Sequence, residues 1–266
     1  MNITSLTPLP EVNDLLRELQ EGAQDILGSQ FVGMYLDGSL ATGGFDADSD
    51  LDFVIITDEE VSASSFLCLQ ALHDGLAARN THWATNLEGT YISRHAVRRH
   101  DPAFIWHPNI ERGGGERLKM AEHGESWVVH RWVLREHGII LVGPNPRTLI
   151  DPVSADDLRR AMSATLTGWA ASILGISEEI SNLGYQTYTV LTVCRILYTL
   201  HSGTIASKPV AARWAQETLK EPFTSLIERA WFGRHNPGLA ASSGDVIATL
   251  NLVRYALEMR DATRAK

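Results

Sequence analysis

The chain has 266 residues, 44% hydrophobic and 21% charged, with a formal net charge of −9, the profile of an ordinary globular protein with room for one large domain or two. No apolar run reaches the roughly 18 residues of a membrane span, and no block of Lys and Arg forms the basic stripe that neutralises nucleic-acid phosphates. The acidic balance suits solubility, or long-range attraction of small cationic molecules.

Taken in order, Met1 to Leu6 lacks a basic segment followed by an apolar core, so no signal peptide is expected and the chain is assigned to the cytoplasm. Cys68 and Cys194 lie in apolar periodic segments and are expected to be buried thiols of a reducing compartment, not a disulfide framework. Pro10–Leu27 places Leu15, Leu16, Leu19, Ile26 and Leu27 at helical spacing, and Gly28-Ser29 ends that helix. Strands are predicted over 31–36 and 51–57, with a glycine-bearing loop between them that starts at Gly38-Ser39. A helix follows over 61–78, capped by Ser62 or Ser64, and then an extended segment over 82–92. The span from His95 to Gly124, with Pro102, Pro108 and Gly113–Gly115, reads as irregular, the triple glycine being a mobile loop or an anion nest.

A helix over 125–137 and a short buried strand over 139–142 close this half. Residues 145–152 read as a linker, and everything beyond is helical in pattern: 154–176, 186–201, 208–219, 222–232 and 244–260. Ser154 and Asp157 make a capping pair at the first of these. Strands and helices give way to helices alone, so two domains are expected, 1–152 and 153–266. The fold class is α/β (α+β) with a mixed sheet in the first, and an all-α bundle in the second.

The chemistry is concentrated where the second strand begins. Asp50 and Asp52 are two apart, so on a strand both carboxylates face one side. Gly38 lets backbone approach a ligand closely and Ser39 adds a hydroxyl. Two hard oxygen donors beside such a turn suit Mg²⁺ bridging to a triphosphate. Asp46 and Asp48, in the connecting loop, are expected to be solvated or turn-forming. Glu88, in the next extended segment, is a third metal ligand or a general base, or else a polar residue on an exposed edge strand. His123, His130 and His137 recur every seven residues; on a continuous helix they would stand roughly 10 Å apart, too far for one ion, so they read as a polar stripe. No His-Glu-x-x-His, Gly-x-Ser-x-Gly, Walker or dinucleotide fingerprint occurs.

Gly38-Ser39 followed by Ser49-Asp50-Leu51-Asp52 resembles the signature of the polymerase-β-like nucleotidyltransferase superfamily. Val190–Leu200 with Ser202-Gly203 and Ser207-Lys208 resembles the helical domain of the streptomycin/spectinomycin adenylyltransferases, and Arg229–Gly233 fits the same domain. The resemblance covers most of the chain and is poor between 93 and 124. It implies a nucleotidyltransferase domain and a helical domain with ATP and drug held between them. Asp50, Asp52 and Glu88 match Mg²⁺ ligands, with Glu88 also the catalytic base that meets the acceptor. Gly38, Ser39 and Ser49 match the phosphate loop, Arg195 and Lys208 the basic residues on the triphosphate, and Trp231 the ring on adenine. Taken without the resemblance, Arg195 and Lys208 read as solvated helix residues and Trp231 as core.

The implied activity is Mg²⁺-dependent transfer of AMP from ATP to a hydroxyl of an aminoglycoside or aminocyclitol antibiotic, conferring resistance. The family's acidic drug-holding side chains have no counterpart in Tyr185-Gln186-Thr187-Tyr188, and its aromatic drug contact has only Trp106. Tyr185, Tyr188 and Trp106 are therefore the expected acceptor contacts, through cation–π interactions, with spectinomycin favoured over streptomycin. The expected partners are ATP and a small cationic acceptor, with no nucleic acid, no membrane and a monomeric state. Transfer to another small molecule or a protein hydroxyl, and a non-catalytic nucleotide sensor, are the alternatives.

Overall fold

The computed structural model describes residues 6–111, 117–175 and 179–264. Gly113–Gly115 lies outside the described residues. The chain divides into two compact units, Met1–Pro152 and Val153–Lys266.

The first unit is built on a six-stranded mixed sheet in the order β5-β4-β3-β2-β1-β6. Its strands are β1 (Phe31–Leu36), β2 (Leu51–Thr57), β3 (Leu87–Ser93), β4 (Trp106–Ile110), β5 (Lys119–Glu122) and β6 (Ile139–Val142). Among the described residues β2 and β3 pair in parallel and the other ladders of the sheet are antiparallel. A parallel pair needs a crossover, and α3 (Ala63–Ala77) with α4 (His82–Thr85) supplies it. The helix predicted over 61–78 thus begins at Ala63, and Ser62 caps it by accepting from Ser65 N–H at 3.1 Å. The segment predicted as extended over 82–92 splits into α4 and β3, because Trp83 turns inward to stack on Phe45 at 5.2 Å.

The two faces of the sheet bury different cores. On one, Leu36, Leu51, Phe53, Ile55 and Tyr91 pack beneath α1 (Pro10–Leu27) and α3, whose inward stripe is Val12, Leu15, Leu16, Leu19, Leu69 and Leu76. On the other, Tyr35, Val54, Ile56 and Ile92 pack with α5 (Arg94–Arg98), Trp127 and α6 (Val128–His137). Residues 149 and 150 belong to this second core, and Arg135 Nη1 donates to the carbonyls of Arg147 and Ile150 at 2.9 and 2.6 Å. The stretch expected to be a linker is therefore packed into the first unit.

His73, on α3, is buried, and its Nε2 lies 2.9 Å from the Tyr91 hydroxyl. Burial pushes its pKa down to about 4. A histidine held neutral by the fold contributes stability that is whole above its unfolded pKa of about 6.5 and lost as pH falls toward 4. The change amounts to roughly 3 kcal/mol. Urea unfolding of the unmodified protein and of His73→Gln checks this: the advantage of the unmodified protein should shrink between pH 7 and pH 4.5.

The second unit is helical: α7 (Ala155–Gly175), α8 (Leu183–Ser202), α9 (Lys208–Thr218), α10 (Phe223–Gly233) and α11 (Ser243–Arg264). Ser154 and Asp157 cap α7 reciprocally, Asp157 N–H donating to Ser154 Oγ at 3.1 Å and Ser154 N–H to Asp157 Oδ2 at 2.9 Å. α8 is the axis of the bundle. Asn182 caps its start through Tyr185 N–H, and Gly203, in the left-handed region at φ 71°, closes it on Thr199. Val190, Leu191, Val193, Cys194, Ile196 and Leu197 bury nearly every side of it. The two cysteines differ: Cys194 is buried as expected, whereas Cys68 is exposed on α3. Among the described residues no helix is long and apolar enough to cross a membrane.

Candidate active site

The register of three strands assembles the acidic centre. Asp52 is aligned with Glu88 in the parallel ladder of β2 and β3. One step beyond β1, Asp37 N–H donates to the Asp52 carbonyl at 3.2 Å, so Asp37 extends the antiparallel ladder on the other side. Residues paired in this way share a face, and neighbouring strands lie about 4.8 Å apart. Asp37, Asp52 and Glu88 therefore form a row across one face, in line with Tyr35, Val54 and Thr90 two residues along. Asp50 precedes β2 with the same parity as Asp52. Glu88 stands on an interior strand, not on the edge strand weighed above.

Crowding of carboxylates shows in Asp52, whose pKa is pushed up to about 6, first by burial and then by the negative charges of Asp37 and Asp50. His130 and the backbone N–H of Ser39 act in the opposite direction. Gly38 is what admits this carboxylate. It has φ 59°, and a Cβ built on it would collide with the Asp52 carboxyl group. The Gly38-Ser39 step is not an open loop as expected but the first turn of a short helix, α2 (Gly38–Thr42), ended by Gly43 at φ 73°.

The connecting loop behaves as predicted for Asp46, whose Oδ1 accepts from Asp48 N–H at 3.1 Å and from Ser49 Oγ at 3.0 Å. Ser49 also accepts from Asp46 N–H at 2.9 Å, so its hydroxyl braces the loop. Ser39 Oγ, by contrast, is buried with no hydrogen-bond partner among the described residues, as is Asp37 Oδ1.

The predicted histidine stripe is not one. His123 precedes α6, and its ring stacks on Trp127 at 4.6 Å, which in turn stacks on His130 at 5.4 Å. His130 Nδ1 donates to Asp37 Oδ2 at 2.8 Å. Burial and nearby positive groups hold the His123 pKa at about 3. Asp37 and His130 lie beside Asp52, and sequence reasoning did not place them there. Asp37 has the parity of Tyr35, but only the β1–β2 register puts it beside Asp52.

The donor set of this centre is hard oxygen: Asp50, Asp52 and Glu88, with the backbone held close by Gly38. Among the described residues no group of three or more His, Cys, Asp or Glu side chains is placed so that it could hold a metal ion. Mg²⁺ takes one or two carboxylates and completes its shell with water and phosphate oxygens, so the oxygen chemistry of these side chains is of the kind it prefers. Two buried polar atoms without partners, Asp37 Oδ1 and Ser39 Oγ, flank the same glycine and are the kind of group a ligand satisfies.

The remaining candidates are distributed as follows. Trp106, on β4, has the parity of Ile110, which pairs with Gly89, so it projects from the face opposite Glu88; it is 56% exposed. In the helical unit Arg195 is half-buried on α8 and Lys208 opens α9. Trp231, on α10, carries the Arg234 guanidinium 4.6 Å above its ring. Trp231, Phe232, Pro209, Ala212 and Arg213 are among the residues lining a groove of about 280 Å³. Tyr185 stacks on Tyr188 at 6.2 Å, and Trp169 from α7 meets Tyr188 edge-on at 6.2 Å. Trp169 completes an aromatic trio that spacing alone did not reveal.

Two family models match the chain. Residues 16–97 match a nucleotidyltransferase domain and residues 148–257 match the C-terminal domain of aminoglycoside adenylyltransferase. The chain is 34% identical over 123 residues to the aminoglycoside (3'') (9) adenylyltransferase of Escherichia coli, covering 45% of this chain and 44% of that protein. It is 27% identical to the spectinomycin 9-adenylyltransferase of Staphylococcus aureus over 218 residues, 78% of this chain and 79% of that one. The fold matches the crystal structure of the spectinomycin adenyltransferase AAD(9) of Enterococcus faecialis, solved with ATP and spectinomycin. The TM-score is 0.69 over 92% of this chain and 98% of that one, at 15% identity. The nucleotidyltransferase domain and the adenylyltransferase homologues together support an adenylyltransferase.

Proposed function

We propose that this chain, a homologue of the spectinomycin and aminoglycoside adenylyltransferases, transfers AMP from ATP to a hydroxyl of an aminoglycoside or aminocyclitol antibiotic. The observation that carries the reading is the row of carboxylates Asp37, Asp52 and Glu88 at the end of β1 and on β2 and β3, closed against Gly38, where φ is 59° and a Cβ would meet the Asp52 carboxyl group. Asp50 and Asp52, with Glu88, would hold Mg²⁺, which when bound polarises the phosphate oxygens and screens the charge of the leaving group. Glu88 accepts the proton of the acceptor hydroxyl as its oxygen bonds to the α-phosphorus, and the bond from that phosphorus to pyrophosphate breaks. Ser39 offers its hydroxyl to a phosphate oxygen.

The acceptor preference follows from Tyr185 and Tyr188. Their segment has no carboxylate to pair with the guanidinium groups of streptomycin, while aromatic faces still attract an ammonium. Spectinomycin is therefore the expected acceptor. Incubation with radiolabelled ATP and a panel of aminocyclitols, aminoglycosides and other hydroxyl-bearing metabolites should label spectinomycin well and streptomycin weakly. Equal labelling of both would remove the role given to the tyrosines. Labelling of neither, with transfer to another hydroxyl compound, would keep the chemistry and overturn the antibiotic.

A further inference from the structure

We propose that Asp37 is a further carboxylate of the cation centre and that His130 is the residue that positions it. Four observations lead there. Asp37 continues the row of Asp52 and Glu88, so its side chain leaves the sheet on the face where the cation would bind. It occupies the N-cap position of α2, where an aspartate normally accepts from the helix backbone, yet its side chain makes no capping bond. Its side chain is only 4% exposed, with Oδ2 accepting from His130 Nδ1 at 2.8 Å and Oδ1 buried without a partner. On the other side of Gly38, Ser39 Oγ is likewise buried and unsatisfied. Leaving a buried carboxylate oxygen unmet is unfavourable unless a ligand meets it. A hard divalent cation with its shell of water is the ligand whose chemistry fits.

His130 is itself held. Trp127 stacks on it with the two rings inclined by 25°, and His123 stacks on Trp127 at 9°. The Arg131 guanidinium sits 5.0 Å from the centroid of Trp127. The His130 side chain is 54% exposed on its other side, and its Nδ1–H takes one oxygen of Asp37, which leaves Oδ1 as the oxygen still to be met. This is the arrangement by which a second shell of hydrogen bonds orients a metal-binding carboxylate.

The inference rests on the reading of the row as a cation centre, and Mn²⁺ separates the two. Binding of Mn²⁺ to the full chain, alone and with ATP but without acceptor, can be followed by the enhancement of water-proton relaxation over protein-free Mn²⁺ and Mn²⁺·ATP references. Asp37→Asn keeps the shape and removes the charge; it should weaken Mn²⁺ binding by about tenfold or more. His130→Ala should weaken it less, and His130→Asn, whose amide N–H lies near the place of Nδ1, should recover most of the loss. Thermal unfolding of each variant, followed by circular dichroism, checks that the fold is retained. Unchanged Mn²⁺ affinity in both Asp37→Asn and His130→Ala would overturn the role of Asp37 while leaving the centre intact. Failure of the unmodified chain to bind Mn²⁺ even with ATP would overturn the centre and Asp37 with it.

Discussion

Asp52→Asn should lose AMP transfer by on the order of 10³-fold, the equivalent of about 4 kcal/mol at the transition state, and yet be at least as stable as the unmodified protein at pH 7. The two halves of the result have one cause. Asp52 lies between Asp37 and Glu88 with Asp50 close by, and its pKa is raised to about 6 by burial and by like charge. An acid whose pKa is raised by folding is penalised in its ionised form, so the penalty is present above pH 6 and disappears as pH falls toward its ordinary value. At pH 7 in the metal-free protein it is at most on the order of 3 kcal/mol, less where water reaches the carboxylate. A neutral amide of the same shape removes that repulsion together with the charge the cation needs. Pyrophosphate release and a urea titration at pH 7 measure both effects. An inactive variant that is also markedly less stable would mean that Asp52 holds the sheet together, not the cation.

Glu88→Gln is expected to separate binding from turnover. Glu88 is aligned with Asp52 but belongs to the neighbouring strand, where its carboxylate can serve the acceptor side of the centre. Removing a general base lowers the rate by about 10²- to 10⁴-fold, whereas Asp50 and Asp52 remain to hold the cation and its nucleotide. ATP affinity measured by calorimetry in the presence of Mg²⁺ should therefore stay within about tenfold of the unmodified value, while single-turnover AMP transfer collapses. A variant with full turnover would remove the base assignment. One that loses ATP binding altogether would make Glu88 a cation ligand above all.

Much of this architecture was legible where physical signals agree. Pro10–Leu27, Phe31–Leu36, Leu51–Thr57 and Ile139–Val142 have the bounds expected from periodicity and glycine punctuation. The region from 94 to 122 was opaque because β4 contains Pro108 and β5 reads Lys-Met-Ala-Glu with its side chains mostly exposed. Strands at the margin of a sheet do not carry the alternation that betrays interior ones. The expected carboxylates Asp50, Asp52 and Glu88 could be named because two-residue spacing and strand context are local. Asp37 could not, because its importance depends on pairing with a residue fifteen positions away. His130 was hidden for a different reason. Its seven-residue spacing suggested one helix face, whereas the chain enters α6 only after His123.

The contrast between the two cysteines gives the molecule a chemical clock. Cys68 lies at the surface of the first unit, while Cys194 sits at the centre of the helical one with its thiol pKa pushed up to about 12 by burial. An alkylating reagent meets the first at once and the second only when the bundle opens, since the thiolate is the reacting form and buried thiols are inert. The delay between the two mass increments then reads out the opening of one unit alone. No residue need be changed to follow whether added ATP or spectinomycin alters the lifetime of that helical core.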